Sequence, residues 1–106
     1  MKKFKIHLEP EAIEDIRENR KWYNEQQKGL GMLFYNSVIS QIDKIEYNPL
    51  AYPIRYENVI TVSLDKFPYL IHYYIDIQRK KIVILGILHT SRNPEIWRKR
   101  YEIPKI

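Results

Sequence analysis

The densest set of chemically capable side chains in this 106-residue sequence is His89-Thr90-Ser91-Arg92-Asn93-Pro94, with Trp97 and Arg98 just behind it. A histidine changes charge near neutrality and can shuttle protons, and a planar guanidinium grips phosphate or carboxylate through two hydrogen bonds. Lys66, just before Phe67-Pro68, and Arg55, ahead of the next strand pattern, would complete a basic concave patch on a sheet. Such a set holds what cleavage of RNA needs: a base for the 2′-hydroxyl, an acid for the departing oxygen, and cations for the transition-state charge. The bland alternative has His89 hydrogen-bonding its own turn and Arg92 pairing with Asp or Glu to order the C-terminus.

Other chemistries find no support in the sequence. It contains no glycine-rich phosphate loop and no Gly-x-Ser-x-Gly turn. His7, His72 and His89 share no ligand spacing, so no metal is expected, and no cofactor either. The absence of cysteine excludes disulfides, thiolate zinc sites and cysteine nucleophiles. Charge is more informative. Residues 1–53 hold eight Lys and Arg against eight Asp and Glu, whereas residues 54–106 hold ten against five, so the whole net charge of +5 lies in the second half. That asymmetry points to an acidic partner, nucleic acid or protein, against the alternative of a solubilising surface. Arg55, Lys66, Arg79, Lys80, Lys81, Arg92, Trp97, Arg98 and Arg100 are the candidates for contact with nucleic acid or another target. Among the aromatics, Tyr23, Tyr69 and Tyr73 fall on core faces, while Tyr74, Trp97 and Tyr101 are candidates for base stacking.

The elements that must position these groups follow from periodicity. Phe4, Ile6 and Leu8 alternate with polar residues, as in a short strand with one buried face. Pro10 then opens a helix of about 16 residues, with Glu11, Glu14 and Asp15 favouring its positive end and Ala12, Ile16, Asn19 and Tyr23 on one stripe, widened by Ile13. Lys28-Gly29-Leu30-Gly31 breaks the pattern with glycines that free the backbone for a tight reversal. Leu30, Phe34, Val38, Gln41, Ile42 and Ile45 share a face of a second helix that stops at Asn48-Pro49, giving an antiparallel helical hairpin. Ile60, Val62 and Leu64 alternate, as do Tyr69, Ile71, Tyr73 and Ile75, and the unbroken apolar run Ile82–Leu88 reads as a strand covered on both faces. Gln78-Arg79-Lys80-Lys81 is the turn between the last two strands, and Pro94 opens a short helix over Glu95–Tyr101. The expected architecture is a single α+β domain spanning 1–106, an N-terminal strand and helical hairpin packed on a mainly antiparallel sheet. Acidic residues within Met1–Ile16 and the lack of any membrane-length apolar run predict a cytoplasmic protein with no membrane partner.

On these residues the chain resembles the RelE/ParE superfamily of bacterial toxins. The sheet signature is Leu64-Asp65-Lys66-Phe67-Pro68-Tyr69-Leu70-Ile71-His72-Tyr73, then Ile84-Leu85-Gly86-Ile87-Leu88-His89-Thr90-Ser91-Arg92-Asn93-Pro94 and Trp97. The front half is similar to the family's hairpin and connector at Ala12, Asp15 and Ile16, Trp22-Tyr23, Gly29-Leu30-Gly31, Phe34, Asn48-Pro49 and Tyr52-Pro53.

The resemblance implies the toxin component of a type II toxin–antitoxin system of the plasmid-stabilisation kind, a growth inhibitor neutralised by a cognate antitoxin whose acidic segment wraps it. The superfamily has two branches: inhibitors of DNA gyrase without nuclease activity, and ribosome-dependent mRNA endonucleases. His89 and Arg92 match the His-x-x-Arg pattern of both. Nuclease members commonly carry Asp-Tyr-Arg where this chain has Pro68-Tyr69-Leu70, so a strand arginine is missing and the gyrase branch is favoured. If the chain is instead an enzyme, Lys66, His89 and Arg92 are the catalytic residues. A third reading is an inactive basic binding domain of the same fold. For the antitoxin, Tyr35 and Ile39 lie beside the second helix's main stripe, and Trp22 sits one position off the first helix's stripe, so these three form the expected docking surface. A homodimer is also open, because an uncovered edge strand favours self-association.

Overall fold

A computed structural model describes residues 3–92 of the chain. Strand β1 (Lys5–Leu8) leads into helix α1 (Pro10–Gln26), which reverses into helix α2 (Leu30–Tyr47). Four strands follow: β2 (Ile54–Tyr56), β3 (Val59–Ser63), β4 (Tyr69–Asp76) and β5 (Lys81–His89). They form one five-stranded sheet in the order β1-β5-β4-β3-β2, parallel between β1 and β5 and antiparallel elsewhere. The α+β expectation holds, with four strands after the hairpin where the sequence showed three. Arg55 lies within the added strand β2 rather than ahead of a strand. The helix expected over Glu95–Tyr101 lies outside the described residues, as do Trp97, Arg98, Arg100 and Tyr101. No helix among the described residues is long and apolar enough to cross a membrane.

The stripe of α2 is buried as its spacing requires, at Phe34, Val38, Gln41, Ile42 and Ile45. On α1 the stripe is narrower and differently composed: Ala12, Asp15 and Ile16 are buried, while Ile13 is 46% exposed. Glu11 alone stands in the first turn, so Asp15 does not serve the helix dipole there. Its Oδ2 instead accepts the Ile87 backbone N–H at 2.9 Å, deep between α1 and β5. That amide needs a partner because β1, which covers β5 up to the Leu8–Ile84 pair, has ended. A buried N–H left unpaired would cost about 1–3 kcal/mol.

The two glycines of the reversal do different work. Gly29 takes φ 91° as the residue ahead of α2, and its N–H is accepted by Asn24 Oδ1 at 2.9 Å. Gly31 is buried where the helices touch, and a Cβ there would collide with the Arg20 carbonyl oxygen and press on the Asn24 side chain.

Strand β5 is apolar throughout because both its faces are covered. Ile82, Ile84 and Ile87 join the main core under the helices, with Ile71, Tyr73 and Phe34, whereas Val83, Leu85 and Leu88 join a second cluster with Tyr56 and Val59. The switch from even to odd inward positions is produced by a bulge: His72 pairs with Gly86 but Tyr73 with Ile84, leaving Leu85 extra on β5.

Candidate functional site

His89 ends β5 directly opposite Tyr69, the first residue of β4, and their rings meet edge to face at 5.2 Å between centroids. Beyond it, Arg92 N–H donates to the His89 carbonyl at 3.0 Å, and Thr90 N–H to the Pro68 carbonyl at 2.9 Å. The second bond ties the segment after β5 to the β3–β4 loop, so Lys66 and the His89–Arg92 turn are brought to the same end of the sheet. Lys66 itself adopts φ 71° in that loop. The loop is pinned to α2 where Ser37 Oγ donates to the Asp65 carbonyl at 2.8 Å.

The ring of His89 is not free. Its Nδ1 accepts the Ser91 backbone N–H at 3.0 Å and lies 2.7 Å from Ser91 Oγ. With Nδ1 used as an acceptor, a neutral imidazole carries its proton on Nε2, which is then a donor. The bland expectation for His89, a bond to its own turn, is therefore met. Ser91 and Asn19 were named in the sequence but given no role of their own at the site. Asn19 was read only as part of a helix stripe, yet its Oδ1 accepts the Tyr69 hydroxyl proton at 3.1 Å and so holds the platform under His89. No short-range pattern announces a contact between positions 19 and 69.

Burial pushes the Tyr69 hydroxyl up to about 12, the hydrogen bond and charge of Tyr23 add to this, and the Arg92 charge pulls it back. Arg92 thus stands close enough to Tyr69 for its charge to act on the hydroxyl. Burial likewise raises Tyr73, with Tyr52 contributing, and raises Tyr74, where Asp76 and Glu9 contribute against Arg79. The ordinary tyrosine value is 10.0, so an unfolded chain ionises these hydroxyls before the folded one does. The stability they confer is present below about pH 10 and is lost as pH rises toward 12. An absorbance titration should accordingly show these tyrosines ionising late, together with loss of far-ultraviolet dichroism. Ionisation of all nine near pH 10 in a folded protein would contradict it.

The remaining basic candidates do not join this end. Arg79, Lys80 and Lys81 occupy the β4–β5 turn and the start of β5, about 26 Å from His89 at the usual strand rise. Arg55 is on the edge strand β2, separated from β5 by β3 and β4. Of the concave patch expected from His89, Arg92, Lys66 and Arg55, Arg55 stands apart at the β2 edge, and Arg79–Lys81 form a separate basic group at the other end of β5. Among the described residues, Lys66, His89 and Arg92 are the candidates that converge.

On the hairpin, Trp22 is 53% exposed, Tyr35 is half-buried under the Arg20 guanidinium, 4.8 Å from its ring centroid, and Ile39 is half-buried. Among the described residues there is no group of three or more His, Asp or Glu able to hold a metal ion.

A helical hairpin packed on a mostly antiparallel five-stranded sheet of this order is the fold of the RelE/ParE toxins. Solved structures place it there. The chromosomal ParDE toxin–antitoxin system from P. aeruginosa aligns with a TM-score of 0.75 and 15% identity, over 86% of this chain and 100% of that one. The intact E. coli RelBE toxin–antitoxin complex gives 0.64 and 12%, over 84% and 99%, and the isolated E. coli RelE toxin gives 0.63 and 12%, over 91% and 93%. At that identity the likeness shows the fold. The family is shown by sequence: residues 6–94 match the ParE toxin of the type II toxin–antitoxin system parDE, and the chain belongs to that family. A search of curated proteins gave no match.

Proposed function

We propose that the chain is a ParE-like toxin that inhibits DNA gyrase by protein contact and is neutralised by a cognate antitoxin. The observation that carries this reading is the state of His89. A general base must offer a free nitrogen lone pair to the hydroxyl it activates. Here Nδ1 is taken by Ser91, so in the neutral ring the proton sits on Nε2 and leaves no lone pair to offer. The neighbouring strand position adds to this. Leu70, where the nuclease branch commonly has arginine, packs on the apolar cluster of Val83, Leu85 and Leu88 and lies opposite Leu88. No cation stands there to hold a scissile phosphate. The toxin would meet gyrase through its basic C-terminal part and be covered by the antitoxin at Trp22, Tyr35 and Ile39.

Purified protein should block supercoiling by gyrase while leaving mRNA on translating ribosomes uncut. Intact supercoiling activity at saturating toxin would refute the proposal.

One observation favours ribosome-dependent RNA cleavage as a second reading. Lys66, His89 and Arg92 share one end of the sheet, joined through the Thr90–Pro68 bond. On that reading, site-specific cuts appear in translated messages, and His89→Ala or Arg92→Ala lowers the cutting rate by about 10²–10⁴-fold. Cutting that is unchanged in both variants would remove these residues from the chemistry.

A further inference from the structure

A group of unneutralised cations lies at the opposite end of the sheet from His89. Lys5 N–H donates to the Lys80 carbonyl at 3.0 Å, and Lys5 is the direct strand partner of Lys81, so the start of β1 is joined to the β4–β5 turn. Lys3, Lys5, Arg79, Lys80 and Lys81 are all exposed there. Asp76, the β4 partner of Lys81, is already engaged with Arg79: Oδ1 accepts its backbone N–H at 3.1 Å, and Oδ2 is 4.0 Å from its Nε. Among the described residues none of the four lysines reaches a carboxylate at salt-bridge distance.

Two features distinguish this end from a surface charged only for solubility. Paired positions on neighbouring strands stand about 4.8 Å apart, so Lys5 and Lys81 repel each other and weaken the sheet that carries them. Lys80 holds φ 55°, a left-handed backbone that glycine or asparagine adopts more readily. The turn is nonetheless braced, by the Lys80 N–H on the Ile77 carbonyl at 3.3 Å and by the Asp76 carboxylate on the Arg79 N–H. A fixed backbone therefore presents four ammonium groups together, at a cost to local stability.

We propose that this end of the sheet binds the phosphate backbone of duplex DNA, with Lys3, Lys5, Lys80 and Lys81 each on a phosphate and no reading of base sequence. Lysine suits that task, since a compact point charge on a flexible stem meets phosphate without a fixed orientation and carries no sequence information. A single strand would look for free aromatic faces on which to stack its bases, and the ring at this end, Phe4, is packed on the main core. A lipid surface would need a broad apolar face, where this end offers the exposed aliphatic chain of Ile77. The surface is remote from Lys66, His89 and Arg92 and separate from the hairpin contacts of Trp22, Tyr35 and Ile39. It does not rest on gyrase being the target.

The test uses full-length protein and a fluorescein-labelled duplex of about twenty base pairs, followed by anisotropy without gyrase. Four neutralised phosphates imply a slope of about −3.6 for log affinity against log salt, a loss of roughly 150-fold between about 50 and 200 mM. Two duplexes of unrelated sequence should bind alike. Combined Lys5→Gln, Lys80→Gln and Lys81→Gln should flatten the slope by about 2.7. Because that variant relieves like-charge repulsion it should melt no lower than the parent; if it does melt lower, Lys81→Gln alone should still flatten the slope by about 0.9. Lys21→Gln with Lys28→Gln and Lys44→Gln removes the same charge from the helical hairpin and should leave the slope unchanged. Absence of binding, equal flattening by the hairpin variant, or a preference between the two duplexes would overturn the proposal. So would tighter binding of an oligothymidylate of the same charge, or capture by phosphatidylglycerol vesicles in place of the duplex.

Discussion

Phe34→Ala is expected to lower the unfolding free energy by about 3–5 kcal/mol, a large part of the stability of a domain of this size. Phe34 is fully buried and anchors an aromatic cluster: it stacks on Tyr23 at 5.3 Å and meets Phe67 and Tyr69 edge-on at 5.3 and 5.2 Å. Those partners come from α1, the β3–β4 loop and β4, so the cavity left by the ring would open at the junction of three elements that cannot all collapse into it. The effect should reach function as well as stability. Tyr69 is the surface on which His89 rests, and Phe67 belongs to the loop that carries Lys66. Phe34→Leu, which keeps most of the volume, should cost much less. Urea denaturation of both variants checks the order; equal midpoints for Phe34→Ala and the parent would contradict the packing argument.

Asp15→Ala should be the most damaging polar substitution. It removes the acceptor of a buried amide and leaves the Ile87 N–H with no strand to turn to, at about 1–3 kcal/mol before the cost of the small void is added. Asp15→Asn keeps an oxygen in the same place and should retain more of the stability. The local readout is amide hydrogen exchange. In Asp15→Ala the Ile87 amide should lose protection beyond that expected from the global destabilisation. If its protection falls only in step with neighbouring β5 amides, the bond carries no separate weight.

Much of this architecture was legible before any coordinates. The α2 stripe, the alternation of β3 and β4 and the two-faced burial of β5 follow from side-chain period alone, since each side of such an element meets one environment along its length. Strand β2 escaped because three residues are too few to show a period, and its pairing with β3 is irregular. The bulge at Leu85 was hidden inside a run where every residue is apolar, so a shift of parity left no trace. Asp15 looked like a helix-dipole residue because its partner is 72 positions away. At the site, the histidine and arginine were visible as types, but the acceptor state of His89 depends on how the next turn folds back. The division of the basic residues between two ends of the sheet depends on the length of β5, and the joining of Lys3 and Lys5 to Arg79–Lys81 depends on a parallel pairing that charge counts do not register.

The contact at Gly31 bears on how a partner is received. With no side chain between them and the Arg20 carbonyl directly opposed, α1 and α2 are held at a fixed, short separation that any larger residue would widen. A guest laid across Trp22, Tyr35 and Ile39 therefore meets ridges whose spacing is set before it arrives, and little ordering of the host is left to be paid for on binding. Loosening that spacing should show first as faster dissociation of the guest, ahead of any change in how quickly it finds the surface.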